Sequence, residues 1–289
     1  MSAPGLRPDL WPRPLHAALR LRRPGSALLA GLLLTACEAD GPPPGQEHSS
    51  ESPHWSYAGD YGPDRWAALD ESFETCGTGR DQSPIDLAGA VASQGSRVDW
   101  SYDAAALEVS FNELPADLVD NGHTVQVSYP GGSLLHLVDG DYELAQFHFH
   151  APSEHTVDGA HFPLEVHLVH VGPEGRLAVV GVFVTPGEAH EELAAIAENL
   201  PRPDETRHFE DVVIDVNALV PSGPGYYAYD GSLTTPPCSE GVQWFVMETP
   251  LSAAPTDIET IAAAVDGNNR PVQATGNRTI ALVRHERDE

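Results

Sequence analysis

The feature that most restricts the fold of this chain is a series of short segments in which apolar and polar residues alternate. A period of two places successive side chains on opposite faces of a β-strand, and clusters of Gly, Pro and Asp separate the segments. The pattern predicts strands at 124–129, 134–138, 144–150, 164–171 and 177–185. Helical spacing occurs only near 188–200 and 255–265. We therefore expect a mostly β (α+β) fold whose helices are peripheral.

The first residues of the chain have the layout of an export signal. Residues 1–23 carry five Arg against a single Asp, and an apolar run follows over 27–36. The run ends in Leu34-Thr35-Ala36-Cys37, which resembles a bacterial lipobox, in which the cysteine is acylated and becomes the first mature residue. We predict a cleaved signal peptide over 1–36 and lipidation of Cys37. An ordinary signal peptide, with Cys37 incidental, is the alternative.

The segment 37–53 after this signal is short of apolar residues and rich in Pro, Gly, Ser and acid, so it predicts a disordered tether. No further low-complexity break or repeat follows, so we predict a single domain over 54–289. No apolar run reaches the roughly 18 to 20 residues that cross a bilayer, and we expect membrane contact only through the lipid on Cys37. The expected location is periplasmic or at the cell surface, with the outer membrane favoured because Glu38 rather than Asp follows Cys37.

The charge of the chain argues against a nucleic-acid partner. There are 15 basic residues, all of them Arg, against 43 acidic ones, and the formal net charge is -28. Such a chain repels the phosphate backbone.

Three cysteines occur in the sequence, and the lipobox accounts for Cys37. The remaining two, Cys76 and Cys238, lie in a chain that we expect in a compartment where disulfides persist. We predict that they are paired. Two buried free thiols are the alternative.

Candidate metal ligands are concentrated in two of the predicted strands. Residues two apart on a strand share a face, so Gln146, His148 and His150 point the same way. On the next strand Glu165, His167 and Val169 do so too. Three imidazoles with an open fourth position are the arrangement of a catalytic zinc site.

A His-x-His pair is weak evidence by itself, because the chain contains 14 histidines. We expect most of the others to be surface or hydrogen-bonded structural residues, among them His48, His54, His155, His190 and His285. The surrounding motifs are more informative. They are Trp55-Ser56-Tyr57, Gln82-Ser83-Pro84-Ile85-Asp86, Asn121-Gly122-His123, QFHFH at 146–150, SEHTVDG at 153–159, LEVHLVH at 164–170, LAVVGVF at 177–183, GSLTTPPC at 231–238 and Asn269-Arg270-Pro271.

In order and spacing these motifs resemble an α-class carbonic anhydrase, and the resemblance extends over 55–278. It implies a zinc enzyme that interconverts CO2 and bicarbonate, built round a large twisted, mainly antiparallel central sheet. Cys76 and Cys238 fall where extracellular and bacterial members commonly have a disulfide.

The resemblance also implies the role of each site residue. His148, His150 and His167 would hold Zn²⁺, whose bound hydroxide attacks CO2. The second ring proton of each histidine would go to Gln146, Glu165 or a backbone carbonyl near Asn268. The hydroxyl of Thr234 would donate to Glu154 and orient the hydroxide, and Thr235 would contact bicarbonate.

Two further groups follow from the same resemblance. His123 matches the proton-shuttle position, with Asn121 and Gln126 ordering the intervening waters; an exposed turn histidine without a role is the alternative. The apolar CO2 pocket would be lined by Val169, Val179, Leu233, Val242 and Trp244.

Two other interpretations fit the sequence less well. A cupin shares the spacing His148-x-His150-xxx-Glu154, but it needs Glu154 as a ligand and a further His in a second motif that the sequence does not provide. A non-catalytic binding module is disfavoured because the three histidines, Glu154 and Thr234 are intact. The sequence leaves open the rate, the oligomeric state, with a dimer as one option, and whether cobalt or iron replaces zinc.

Overall fold

The computed structural model describes residues 54–93, 108–110, 114–120, 123–128, 132–202, 206–222, 225–265 and 267–284. All of them belong to one compact unit, Glu51–Glu289. The predicted signal peptide, Cys37, the tether, Asn121, His48 and His285 lie outside the described residues. Among the described helices, none combines the length and the apolar character needed to cross a lipid bilayer.

The strands of the described residues form one sheet of thirteen strands and a separate pair. They are β1 (Val91–Ser93), β2 (Glu108–Ser110), β3 (Leu114–Asp120), β4 (Val125–Ser128), β5 (Leu134–Leu137), β6 (Gly140–His150), β7 (Thr156–Val157), β8 (Ala160–His161), β9 (Leu164–Val171), β10 (Leu177–Pro186), β11 (Thr206–Ile214), β12 (Gly225–Ser232), β13 (Glu240–Met247), β14 (Leu251–Ala253) and β15 (Ala281–Arg284). Ten of them lie side by side in the order β1-β15-β12-β13-β10-β9-β6-β4-β3-β11. β14 pairs with β10, β5 pairs with β6 and β2, and β7 pairs with β8.

Most neighbouring strands in this sheet are antiparallel. Among the described pairs, the parallel ones are β1 with β15 and β10 with β13 and β14. The predicted mostly β fold with a large, mainly antiparallel sheet is therefore confirmed. All five predicted strands are present, although β6 begins at Gly140 rather than at 144. The alternation of exposed and buried residues already begins at exposed Asp141 and buried Tyr142.

The helices are short and few in the described residues. They are α1 (Trp66–Leu69), α2 (Thr75–Thr78), α3 (Glu191–Glu198) and α4 (Pro255–Val265), and 3-10 turns occur at Gly59–Tyr61, Pro63–Arg65, Glu71–Phe73, Pro173–Gly175 and Val216–Leu219. α3 and α4 lie where helical spacing predicted them. α1 and α2 were not predicted, because a helix of one turn is too short to show a period.

The two faces of the sheet carry different apolar clusters. On β10, Val180 and Val182 belong to the larger cluster, together with the buried residues of α3 and α4. Val179 and Phe183 alternate with them and belong to a second cluster that includes Trp244. α3 and α4 therefore cover one face, and the second face remains for the site described below.

A disulfide joins α2 to the turn that follows β12. Cys76 and Cys238 are bonded with their Cα atoms 5.0 Å apart, which confirms the predicted pairing. The carbonyl of Cys238 accepts a hydrogen bond from Gln82 Nε2 at 3.1 Å, and the carbonyl of Cys76 accepts one from Arg270 Nη2 at 3.1 Å. The bridge thus connects the beginning of the domain to the segment that contains Thr234 and Thr235.

We expect the double substitution Cys76→Ser/Cys238→Ser to lower the free energy of unfolding by about 2–5 kcal/mol, because the bridge restricts the unfolded chain over a long loop. Urea unfolding measures the change. Dithiothreitol should lower the midpoint of the wild type to that of the variant and leave the variant unchanged. A wild-type midpoint that does not respond to the reductant would contradict the prediction.

Candidate metal centre

The pairing of β6 with β9 brings the three predicted ligands together. His148 lies opposite His167 in the antiparallel register, and His150 lies opposite Glu165. Directly opposed residues in such a pair have Cβ atoms about 4.5–5.5 Å apart. The imidazole ring centroids of the three histidines lie 4.9, 5.3 and 4.5 Å from one another. The alternation read from the sequence therefore does place His148, His150 and His167 on one face.

One nitrogen of each ring, here called the outer nitrogen, lies at hydrogen-bond distance from an acceptor; the other is called the inner nitrogen. The pairs are His148 Nδ1 with Gln146 Oε1 at 2.8 Å, His150 Nδ1 with the Asn268 carbonyl at 2.8 Å, and His167 Nε2 with Glu165 Oε1 at 2.9 Å. Because each acceptor needs a proton, the outer nitrogen carries the hydrogen and the inner nitrogen keeps its lone pair. All three partners are those that the sequence indicated.

The inner nitrogens form a suitable set of metal ligands. One ligand atom from each of the three histidines lies within 4.8 Å of the others. The inner nitrogen of His150, Nε2, is buried and has no hydrogen-bond partner in the described structure. A buried lone pair without a donor is costly unless something binds it. The donor set and its geometry therefore fit Zn²⁺, which binds imidazole nitrogen in a tetrahedral arrangement.

The local electrostatics favour neutral rings at two of the three positions. Burial and the neighbouring histidines hold the pKa of His148 well below its usual value. Burial also lowers the pKa of His150, although Glu154 opposes the shift. For His167, burial lowers the pKa, but the carboxylate of Glu165 outweighs it and raises the pKa overall. Neutral imidazole is the form that binds a metal.

A second group of potential ligands, His155, Glu165 and His167, is already engaged in hydrogen bonds. His155 Nδ1 lies 2.7 Å from Glu165 Oε1, and Tyr229 Oη lies 2.6 Å from His155 Nε2. Glu165 Oε2 accepts the backbone N–H groups of Glu154 and His155 at 2.8 and 2.9 Å. This group therefore supports His167 instead of forming a separate site. His155 was expected to be a surface or structural residue, and it is fully buried and structural.

Gly181 leaves room for the carboxylate of Glu165, and the sequence analysis did not identify this role. Gly181 is on β10 and lies opposite His167 of β9. A Cβ atom at this position would lie 3.1 Å from Glu165 Oε1 and 3.3 Å from Val246. The available signal was a glycine inside a strand of otherwise large apolar residues, which often marks a close approach. The role of Tyr229 had no comparable signal, because it is 74 positions from His155.

The structure shows no hydrogen bond between Thr234 and Glu154, which corrects the expectation drawn from the resemblance. Both residues are buried. Glu154 Oε1 accepts the backbone N–H of Arg270 at 2.8 Å, while Oε2 has no hydrogen-bond partner. Oε2 instead faces the inner nitrogens of His150 and His167 at 3.6 and 3.8 Å. Its negative charge therefore lies beside the point where the three histidines converge.

His123 contacts the first residues of the domain. Its ring stacks on Trp55 with centroids 3.8 Å apart and planes 7° from parallel. Burial, and then the nearby His54, lower the pKa of His123. Gln126, on β4, lies opposite His148 in the register, and its amide donates to Ser128 Oγ at 3.1 Å.

The five predicted pocket residues meet in the second apolar cluster. That cluster contains Val179, Val242 and Trp244, with Val169 and Leu233 packed against it. Val179 lies opposite Val169 on one side and Trp244 on the other, so these residues form a row across three strands. The Trp244 ring lies 4.9 Å from the His167 ring. An apolar surface therefore adjoins the histidines. Thr235 lies in the turn after β12 and is half-buried.

Comparison with known proteins identifies relatives of this chain. A family model described as eukaryotic-type carbonic anhydrase matches residues 61–284. The carbonic anhydrase of Pectobacterium atrosepticum is 36% identical over 250 residues, which cover 86% of this chain and 96% of that protein. The Nostoc sp. carbonic anhydrase is 40% identical over 228 residues, covering 78% and 85%. The structure of α-carbonic anhydrase from Thermovibrio ammonificans with the inhibitor sulfanilamide is 38% identical, with a TM-score of 0.74 over 80% of this chain and 100% of that one.

We expect the protein to bind a divalent metal ion through the three histidines and to lose it in His148→Ala, because His148 belongs to this group alone. His155→Gln should retain the metal, because both ring nitrogens of His155 already have partners. Metal content is measured by mass spectrometry of the gel-filtered protein. His136→Ala serves as the control, since His136 pairs with Asp141 at the surface. If His155→Gln lost the metal and His148→Ala retained it, the metal would instead lie between His155, Glu165 and His167.

Proposed function

Since the chain belongs to the α-class carbonic anhydrases, enzymes that interconvert CO2 and bicarbonate, we propose that it performs this reaction with Zn²⁺ held by His148, His150 and His167. The observation that supports this most directly is the arrangement of the three rings. Each has its outer nitrogen hydrogen-bonded and its inner nitrogen directed to a common point.

His148, His150 and His167 would hold Zn²⁺, and the ion would supply hydroxide for attack on CO2 at neutral pH, because three imidazoles leave it able to lower the pKa of water to about 7, the value known for carbonic anhydrase itself. Gln146, Glu165 and the Asn268 carbonyl hold the rings in the tautomer and orientation that this requires. Glu165 is suited to the task because the charges of His155 and His167 outweigh its burial and keep its pKa well below the usual value.

Glu154 would support the site through its free carboxylate oxygen. Its buried Oε2 has no hydrogen-bond partner and lies 3.6 and 3.8 Å from the inner nitrogens of His150 and His167. This oxygen would therefore stabilise a cation held by the three histidines.

CO2 itself is uncharged and requires an apolar surface next to the nucleophile. Val169, Val179, Leu233, Val242 and Trp244 supply one, because they form a continuous patch that touches the His167 ring. Thr235 follows Thr234 in the same turn, where its hydroxyl would contact the oxygens of bicarbonate.

His123 would accept the proton that each hydration releases. An imidazole exchanges protons near neutral pH, and the lowered pKa of His123 keeps the ring neutral and ready to accept. Gln126, beside the ligand strand β6, would order water between the metal site and His123, together with Asn121.

Stopped-flow measurement of CO2 hydration tests this proposal. A chelator and His167→Ala should each abolish activity, because both remove the metal. His123→Ala should lower kcat by about 10- to 100-fold, since a positioned acid–base group contributes at least that much, and added imidazole should restore it. His136→Ala is the control. If the zinc-loaded wild type does not hydrate CO2, the proposal is wrong.

We also propose that the protein is exported and anchored to a membrane, the outer membrane where the cell has two, through a lipid on Cys37. Support comes from the Arg-rich start, the apolar run and the lipobox-like residues before Cys37. The full chain produced in a bacterium should partition into detergent phase, and Cys37→Ser should move it to the aqueous phase. Mass spectrometry of the N-terminal peptide should show an acylated cysteine. Identical partitioning of the two proteins would contradict the anchor.

A further inference from the structure

The side chain of Asn268 links two parts of the site that are distant in sequence. Its Nδ2 donates to the carbonyl of His123 at 3.2 Å and to the carbonyl of Phe149 at 2.8 Å. Its Oδ1 accepts the backbone N–H of Ala151 at 3.1 Å. The residue is almost fully buried, at 1% exposure. Two carbonyls and one N–H match the two hydrogens and one oxygen of the amide, so only one orientation of the side chain satisfies them.

These bonds connect the His123 segment to the strand that carries two metal ligands. Phe149 lies between His148 and His150 on β6. Its carbonyl accepts from Asn268 and also from Thr124 Oγ1, at 2.6 Å, so both of its lone pairs are used. Thr124, the residue after His123, therefore bonds to the same carbonyl as Asn268. Two adjacent residues thus connect this segment to β6: His123 through the side chain of Asn268, and Thr124 directly.

Asn268 contributes to the metal site through a different atom. Its backbone carbonyl accepts from His150 Nδ1, and no substitution of the side chain removes that carbonyl. The two contributions of this residue can therefore be separated by experiment.

We propose that the Asn268 side chain is a positioning residue for proton transfer, which holds His123 at a fixed place relative to the metal ligands. This inference rests on the proposed role of His123. Transfer through a chain of waters depends on the separation of its ends, and a displacement of about 1 Å at a reacting group can cost up to 100-fold in rate. Stacking on Trp55 holds the His123 ring, and the amide of Asn268 holds its backbone.

The test compares kcat with kcat/KM for CO2 hydration in Asn268→Ala. The ratio kcat/KM reports the steps up to bicarbonate release, whereas kcat also includes the departure of the proton. We expect kcat to fall by about 3- to 10-fold, while kcat/KM stays within about 2-fold and imidazole restores kcat. Zinc content should equal that of the wild type, because the backbone carbonyl remains.

Two further variants make the test specific. Asn269→Ala is the matched control, because the adjacent asparagine makes none of the three hydrogen bonds and should retain wild-type kcat. Thr124→Val removes the hydroxyl bond to Phe149 with almost no change of shape. It should lower kcat in the same selective way, and it keeps the proposal testable if Asn268→Ala does not fold.

A double-mutant cycle with His123→Ala separates this inference from the proposed function. If Asn268 acts through His123, Asn268→Ala should lower kcat no further in the His123→Ala background. Unchanged kcat in Asn268→Ala, or a parallel fall of kcat, kcat/KM and zinc content, would overturn the positioning role. If His123→Ala itself leaves kcat unchanged, the relay assignment fails, and with it the basis of the inference.

Discussion

The antiparallel register of β6 and β9 is the constraint on which the site depends. It places His148 opposite His167, and the two-residue period of β6 adds His150 on the same face. A shift of β6 by one residue would move His148 and His150 to the other face of the sheet, away from His167. Phe147 and Phe149 would then leave the larger apolar cluster, where both are fully buried. The core that packs against the helices therefore also fixes the position of His148 and His150.

Glu165 shows how much structure one buried carboxylate requires. Its two oxygens accept four hydrogen bonds, from His155, His167 and two backbone N–H groups. A buried charge is tolerated when it is fully paired in this way. Gly181 leaves the space it occupies, and Tyr229 holds the far nitrogen of His155. The orientation of His167 is thus determined by residues from three strands, β9, β10 and β12, and from the loop that contains His155.

The parts of the fold and site that could be predicted from sequence are those that depend on local periods. The alternation in β6 and β9 identified the faces of His148, His150 and His167, and the family motifs indicated their hydrogen-bond partners. Contacts between distant segments carried no such signal. The bond from Asn268 to His123 spans 145 positions, and it depends on how the sheet brings both to the end of β6. The Thr234–Glu154 bond was expected from relatives, but here Glu154 Oε2 faces the imidazoles instead.

The disulfide has a consequence for how the protein can be made. Cys76 and Cys238 are separated by 162 positions, and β6, β9, β10 and β12 all lie between them. If the chain is exported from its N-terminus as proposed, Cys76 reaches the oxidising compartment well before Cys238 does. His148, His150 and His167 lie between the two cysteines, so all three histidines are already in that compartment when the bridge closes.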